Sequence, residues 1–175
     1  MADDRSFAAE LAAYRPGSPD EAADLERARA LLAGPDPWSR SGPLHLTGSA
    51  LVVHPPSARV LLRWHERQQA WLQVGVTALR EGAEETGLED LRPWPGPEPT
   101  LGHLVAVPVP AGKGEPAHEH LDVRYVLATD TPAAARPENP TARLQWLTVT
   151  EALAFVAEDN LRVALGRVAD LLVDA

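Results

Sequence analysis

Three carboxylates and an arginine crowd the run Arg80-Glu81-Gly82-Ala83-Glu84-Glu85-Thr86-Gly87-Leu88. Wound into a helix at about 100° per residue, Glu81, Glu84 and Glu85 fall within an arc of roughly 100°. Acids that close repel one another unless a cation neutralises them, and a hard divalent ion such as Mg²⁺ is the natural partner for carboxylate oxygens. The competing reading is a solvated acidic face, on which Arg80 and Glu84 form an i,i+4 pair worth roughly 0.2–0.5 kcal/mol. A second concentration of chemistry is His118-Glu119-His120-Leu121-Asp122. Strand alternation puts His118, His120 and Asp122 on one face, which could hold a transition metal, contact phosphate, or simply meet solvent. Gly112-Lys113-Gly114 lacks the spacing of a phosphate-binding loop and reads as a hairpin turn.

The order of residues in the acidic run separates its two readings. Arg-Glu-x-x-Glu-Glu-x-Gly-aliphatic resembles the second half of the Nudix box, G-x5-E-x7-R-E-U-x-E-E-x-G-U, with U a bulky aliphatic residue. Arg80, Glu81, Glu84, Glu85, Gly87 and Leu88 occupy the matching positions. Gly82 departs from the pattern, standing where an aliphatic side chain would anchor the helix. The first half of the box departs further. In the family two adjacent glycines usually open it, the first about fifteen positions ahead of the arginine. Here Gly75 lies five positions ahead of Arg80, so a second glycine and a loop glutamate have no counterpart. Two explanations stay open: a genuine shortening, or a mobile loop of about ten residues that the written sequence lacks.

The resemblance implies a Nudix hydrolase, acting with Mg²⁺, or Mn²⁺ in its place, on a nucleoside diphosphate linked to another moiety. Glu81, Glu84 and Glu85 would be metal ligands, with the Gly75 carbonyl a further one. Arg80 would orient a carboxylate rather than touch substrate. Glu81 or Glu85 would serve as general base, or else a carboxylate from outside the box, for which Glu98, Glu115 and Glu119 are candidates and Glu119 ranks first. Trp71 could stack on a base or pack beneath the sheet, and His118 and His120 could contact substrate. The alternative function is a catalytically degenerate Nudix domain that binds nucleotide or protein, which a genuine shortening would favour. The resemblance spans roughly residues 44–158, and a homodimer is common for this fold.

The elements that must carry these residues follow from pattern. Ser18-Pro19-Asp20-Glu21 opens a helix over 19–33, ended by Gly34-Pro35, after a shorter helix over 6–14. Residues 44–54 and 59–64 form a hairpin turned by Pro55-Pro56-Ser57, and 71–74 a short strand into the acidic helix. Gly87 stops that helix. Alternating prolines at 93, 95, 97 and 99 run extended, and 101–109 and 117–129 form a second hairpin. Residues 143–147 form a last strand, Thr148-Val149-Thr150-Glu151 is a capping box, and a final helix spans 160–173. The expected architecture is α/β (α+β): a Nudix-like α/β/α sandwich on a mixed sheet over 41–175, with an N-terminal helical extension over 1–40.

Composition bounds the rest. At 175 residues, 45% apolar and 23% charged, the chain suits one globular domain. Cysteine is absent, which excludes disulfides and thiolate metal sites. A net charge of −9 argues against nucleic acid or anionic lipid as partner, though not against a phosphorylated small molecule that docks through bridging cations. With no long apolar run and an acidic start, the sequence reads as cytoplasmic, with no membrane partner.

Overall fold

The computed structural model describes residues 4–66, 69–75, 79–112, 114–139 and 142–174, with the side chains of residues 4–6 and 79–81 outside that description. In chain order the regular elements are helices α1 (Asp4–Ala13) and α2 (Pro19–Leu32), strands β1 (Leu44–His54), β2 (Arg59–His65), β3 (Ala70–Leu72) and β4 (Val74–Gly75), helix α3 (Leu79–Thr86), strands β5 (Arg92–Pro93), β6 (Thr100–Val109), β7 (His118–Ala128) and β8 (Leu144–Thr148), and helices α4 (Val149–Phe155) and α5 (Asp159–Asp174). The expected hairpins form: Val52 pairs with Leu61 across β1 and β2, and β6 pairs with β7.

Strand order is β3-β2-β1-β7-β5, with β4 on β1, β6 on β7 and β8 on β2. The sheet is mixed. β1 meets β2 and β4 antiparallel. Against β7 it runs parallel, because Glu119 N–H donates to Pro43 O and Thr129 N–H to Val53 O, the same offset at both ends.

The chain divides into two compact units, residues 1–48 with 103–123, and residues 49–102 with 124–175. In the first, Phe7 and Leu11 of α1 and Tyr14 just beyond it are buried at i, i+4 and i+7, and α2 buries Glu21, Leu25 and Ala28 with the same spacing. Ser18 caps α2 by accepting from Glu21 N–H. The reciprocal half of the expected box is diverted: the Glu21 carboxylate accepts instead from Gly17 N–H at 2.5 Å and from the Tyr14 hydroxyl. A buried carboxylate requires several donors, and these two neighbours supply them.

The second unit carries the sandwich. Val60 and Leu62 of β2 pack with Leu51 and Val53 of β1 against Ala152 and Val156 of α4 and its C-cap, and Leu161, Leu165 and Val168 of α5. The alternate residues Leu61, Ala50 and Val52 face the other way, against Val74 and Leu88, the residue just beyond α3. Period-two alternation in aliphatic strands therefore builds two cores, one per face. Thr148 and Glu151 form the complete capping box at α4.

Candidate active site

Helix α3 carries the acidic run, and its end is fixed by Thr86, Gly87, Leu88 and Arg136, each with a separate task. The Thr86 hydroxyl donates to Gly82 O at 2.6 Å and accepts from Leu88 N–H at 3.3 Å. Gly87 takes φ +68°, and a Cβ there would stand 3.2 Å from Arg136 O, so both conformation and space call for glycine. Arg136 N–H donates to Thr86 O at 2.7 Å, and Leu88 is fully buried. With the helix pinned at this end, the angular positions of residues 81, 84 and 85 are set by α-helical geometry.

At its other end α3 follows β4, in which Gly75 pairs with Ser49 of β1. Val76, Thr77 and Ala78, where the box is short and where a helix cap would fall, lie outside the described residues. Gly82 is buried.

Glu84 is exposed, whereas Glu85 is half-buried with Arg63 Nη1 3.4 Å from its carboxylate. The side chains of Arg80 and Glu81 lie outside the described residues. Arg63 is the site residue that sequence reading passed over. Its signal was alternation: Arg63 shares a β2 face with Leu61, which packs in the core on the α3 side. Its Nε is buried without a hydrogen-bond partner.

The outlying candidates fall in different surroundings. Trp71 is half-buried against the α4–α5 core, edge-on to Trp64 at 5.6 Å and to Phe155 at 6.3 Å, with the Arg143 guanidinium 5.5 Å from its ring. That is the environment of a packing residue. Glu119 accepts from Arg27 Nη2 of α2 at 2.6 Å, in the first unit. Glu98 and Glu115 are exposed, and Gly112 and Glu115 form an isolated bridge; Lys113, of the expected turn, lies outside the described residues.

His118 and His120 do come together, their Nε2 atoms 3.2 Å apart. The third member of the cluster is His45 of β1, with ring centroids 5.4 Å from His118 and 4.8 Å from His120. Asp122, expected on that face, accepts from the Thr47 hydroxyl at 3.2 Å. Burial and then the neighbouring His118 push His45 below the ordinary imidazole pKa, and burial followed by His45 does the same to His120. No single-strand pattern could have announced His45, because the parallel pairing of β1 and β7 brings it in.

No protein-family profile matches the sequence, and neither does any curated protein. Solved structures do. An Ap4A hydrolase of C. elegans, in a binary complex, matches with TM-score 0.55 at 12% identity over 74% of this chain and 98% of its own. The dihydroneopterin triphosphate pyrophosphohydrolase of E. coli matches with TM-score 0.51 at 15% identity over 77% and 97%. A NUDIX family hydrolase of Clostridium perfringens matches with TM-score 0.50 at 21% identity over 74% and 96%. Likeness at these identities speaks to architecture, and together with the mixed sheet between α3 and the α4–α5 pair it gives the conclusion that this chain has the Nudix fold.

Proposed function

We propose that the chain is a Nudix hydrolase, an Mg²⁺-dependent pyrophosphohydrolase that cleaves a nucleoside diphosphate linked to another moiety and acts in the cytoplasm. The observation that carries this reading is the placing of Arg80, Glu81, Glu84, Glu85, Gly87 and Leu88, in box order, on and just beyond the helix that follows β4 of a Nudix fold. The donor set fits the ion: carboxylate oxygens of Glu81, Glu84 and Glu85, and a carbonyl at Gly75, suit a hard cation that prefers oxygen. Bound there, Mg²⁺, or Mn²⁺, would neutralise pyrophosphate charge and polarise the attacking water.

The chain's own residues would do the rest. Glu84, exposed on α3, would meet the cation directly. Glu85, paired with Arg63, would exchange that partner for the cation. Glu81 or Glu85 would take the proton from the attacking water, and the phosphorus–oxygen bond of the anhydride breaks as the new one forms. Glu119 would act as base only after its ion pair with Arg27 opens, so the box glutamates come first. Arg80 would orient a box carboxylate, and His118 and His120 remain candidate substrate contacts.

The Ap4A hydrolase and the dihydroneopterin triphosphate enzyme act on a dinucleoside polyphosphate and on a triphosphate, and both classes are proposed as substrates here. Gly102 and His103 stand where a proline often marks ADP-ribose hydrolysers, which disfavours that class. A nucleotide panel with Mg²⁺ or Mn²⁺, with products identified, tests the proposal. Mg²⁺-dependent release of a nucleoside monophosphate or of pyrophosphate is expected, and silence across the panel overturns it.

One observation favours a second reading, a degenerate Nudix module that binds nucleotide or protein: the five-position interval from Gly75 to Arg80. Intact mass separates the explanations for that interval. A natural protein at 18.8 kDa has the shortened box, whereas one heavier by about 1 kDa carries the loop.

A further inference from the structure

His45, His118 and His120 each offer one ring nitrogen, and these three atoms lie within 4.8 Å of one another. All three residues belong to the first compact unit. The backbone holds them there: Glu119 N–H donates to Pro43 O at 2.8 Å, which sets the start of β1 beside the start of β7. We propose that His45, His118 and His120 bind a single transition-metal ion of zinc-like preference, at a site distinct in chemistry from the all-oxygen box of α3.

Three observations carry this. First, His45 is 2% exposed and neither ring nitrogen makes a hydrogen bond of good geometry; the Gly42 backbone offers a weak partner to one of them and leaves the other with none. Buried polar atoms in native proteins are almost always satisfied, so the orphaned nitrogen points to an absent partner. Second, His118 is oriented as an outer partner orients a metal ligand. The Pro116 carbonyl can only accept, so the contact at 2.9 Å from His118 Nδ1 makes Nδ1 the donor and leaves Nε2 with a lone pair facing His120. Third, the spacing of one pair is close to what an ion requires, while the His45 nitrogen lies within 4.8 Å of the other two. The two Nε2 atoms are 3.2 Å apart, against about 3.3 Å expected for neighbouring ligands around a tetrahedral ion with bonds near 2.0 Å.

The chemistry of the donors selects the class of ligand. Imidazole nitrogen suits zinc, cobalt, nickel and copper, and is a poor donor for Mg²⁺. Three protein ligands leave a fourth position for water or another small ligand.

The test uses the full chain, stripped with chelator and titrated with ZnCl₂ by calorimetry and with Co²⁺ by visible absorption. One Zn²⁺ per chain is expected, with the intense Co²⁺ bands of a four-coordinate site. His118→Gln and His120→Gln, both half-buried positions, should each weaken Zn²⁺ at least tenfold. Glu84→Gln should leave Zn²⁺ affinity unchanged. The proposal is overturned by the lack of saturable Zn²⁺ binding, or by binding that ignores the histidine variants and follows Glu84. The wild-type Co²⁺ spectrum decides even where a variant folds poorly, since the weak bands of six-coordinate oxygen ligation contradict an imidazole site.

Discussion

At 3.4 Å from Glu85, the Arg63 guanidinium already occupies part of the negative potential that a divalent cation would seek. Both groups are about three-quarters covered, so the pair is less screened than a surface salt bridge, yet water still reaches it. Arg63→Gln removes the internal competitor. Mg²⁺ binding should strengthen roughly two- to fivefold, the effect of a pair worth about 0.4–1 kcal/mol, and a Mg²⁺ titration reads it. Weaker Mg²⁺ binding in the variant would instead make Arg63 a positioning residue for Glu85. A second single-residue effect lies at Asp90, beyond the helix. Burial works to raise its pKa, but the Thr129 hydroxyl at 2.5 Å and Asp130 N–H at 2.8 Å hold it below the ordinary 3.8. A depressed folded-state value means stabilisation that is complete above the unfolded pKa and lost as pH falls through the folded one. Asp90→Asn should therefore cost on the order of 1 kcal/mol at pH 7, with wild type and variant converging in strong acid. Denaturant melts at neutral and acid pH check this, and a gap that stays constant contradicts it.

Helix α3 depends on its last turn as much as on its carboxylates. Gly87→Ala places a Cβ at φ +68° and 3.2 Å from Arg136 O, so the loop after α3 must shift. A loss of about 1–3 kcal/mol is expected, read as a lower denaturation midpoint with an unchanged slope. Elements of this kind were open to sequence reading because their signals are local: a glycine stop, a capping box at Thr148 and Glu151, and aliphatic alternation in β1 and β2. What the chain hid is non-local. Glu21 leaves its capping partner for Tyr14 and Gly17 because burial of α2 offers it stronger donors. Arg63 meets Glu85 across 22 positions of sequence, and His45 meets His118 only through parallel pairing of strands 76 residues apart in register. Period and propensity do not report contacts of that range.

Taken whole, the molecule carries a net charge of −9, and among the described residues no helix is long and apolar enough to cross a membrane. For an acidic protein the proposed cleavage of pyrophosphate requires cations to be attracted first, so that activity should rest on the box carboxylates rather than on a general surface field. About three-quarters of the chain matches solved Nudix structures, which leaves the rest of the chain outside each match. The most direct measurement compares wild type with Glu84→Gln, both shown folded by circular dichroism, in Mg²⁺-dependent hydrolysis of a responsive nucleotide. Wild type should turn over and the variant should lose at least about a hundredfold in kcat, the cost of a lost metal ligand. Full activity in the variant would contradict the account.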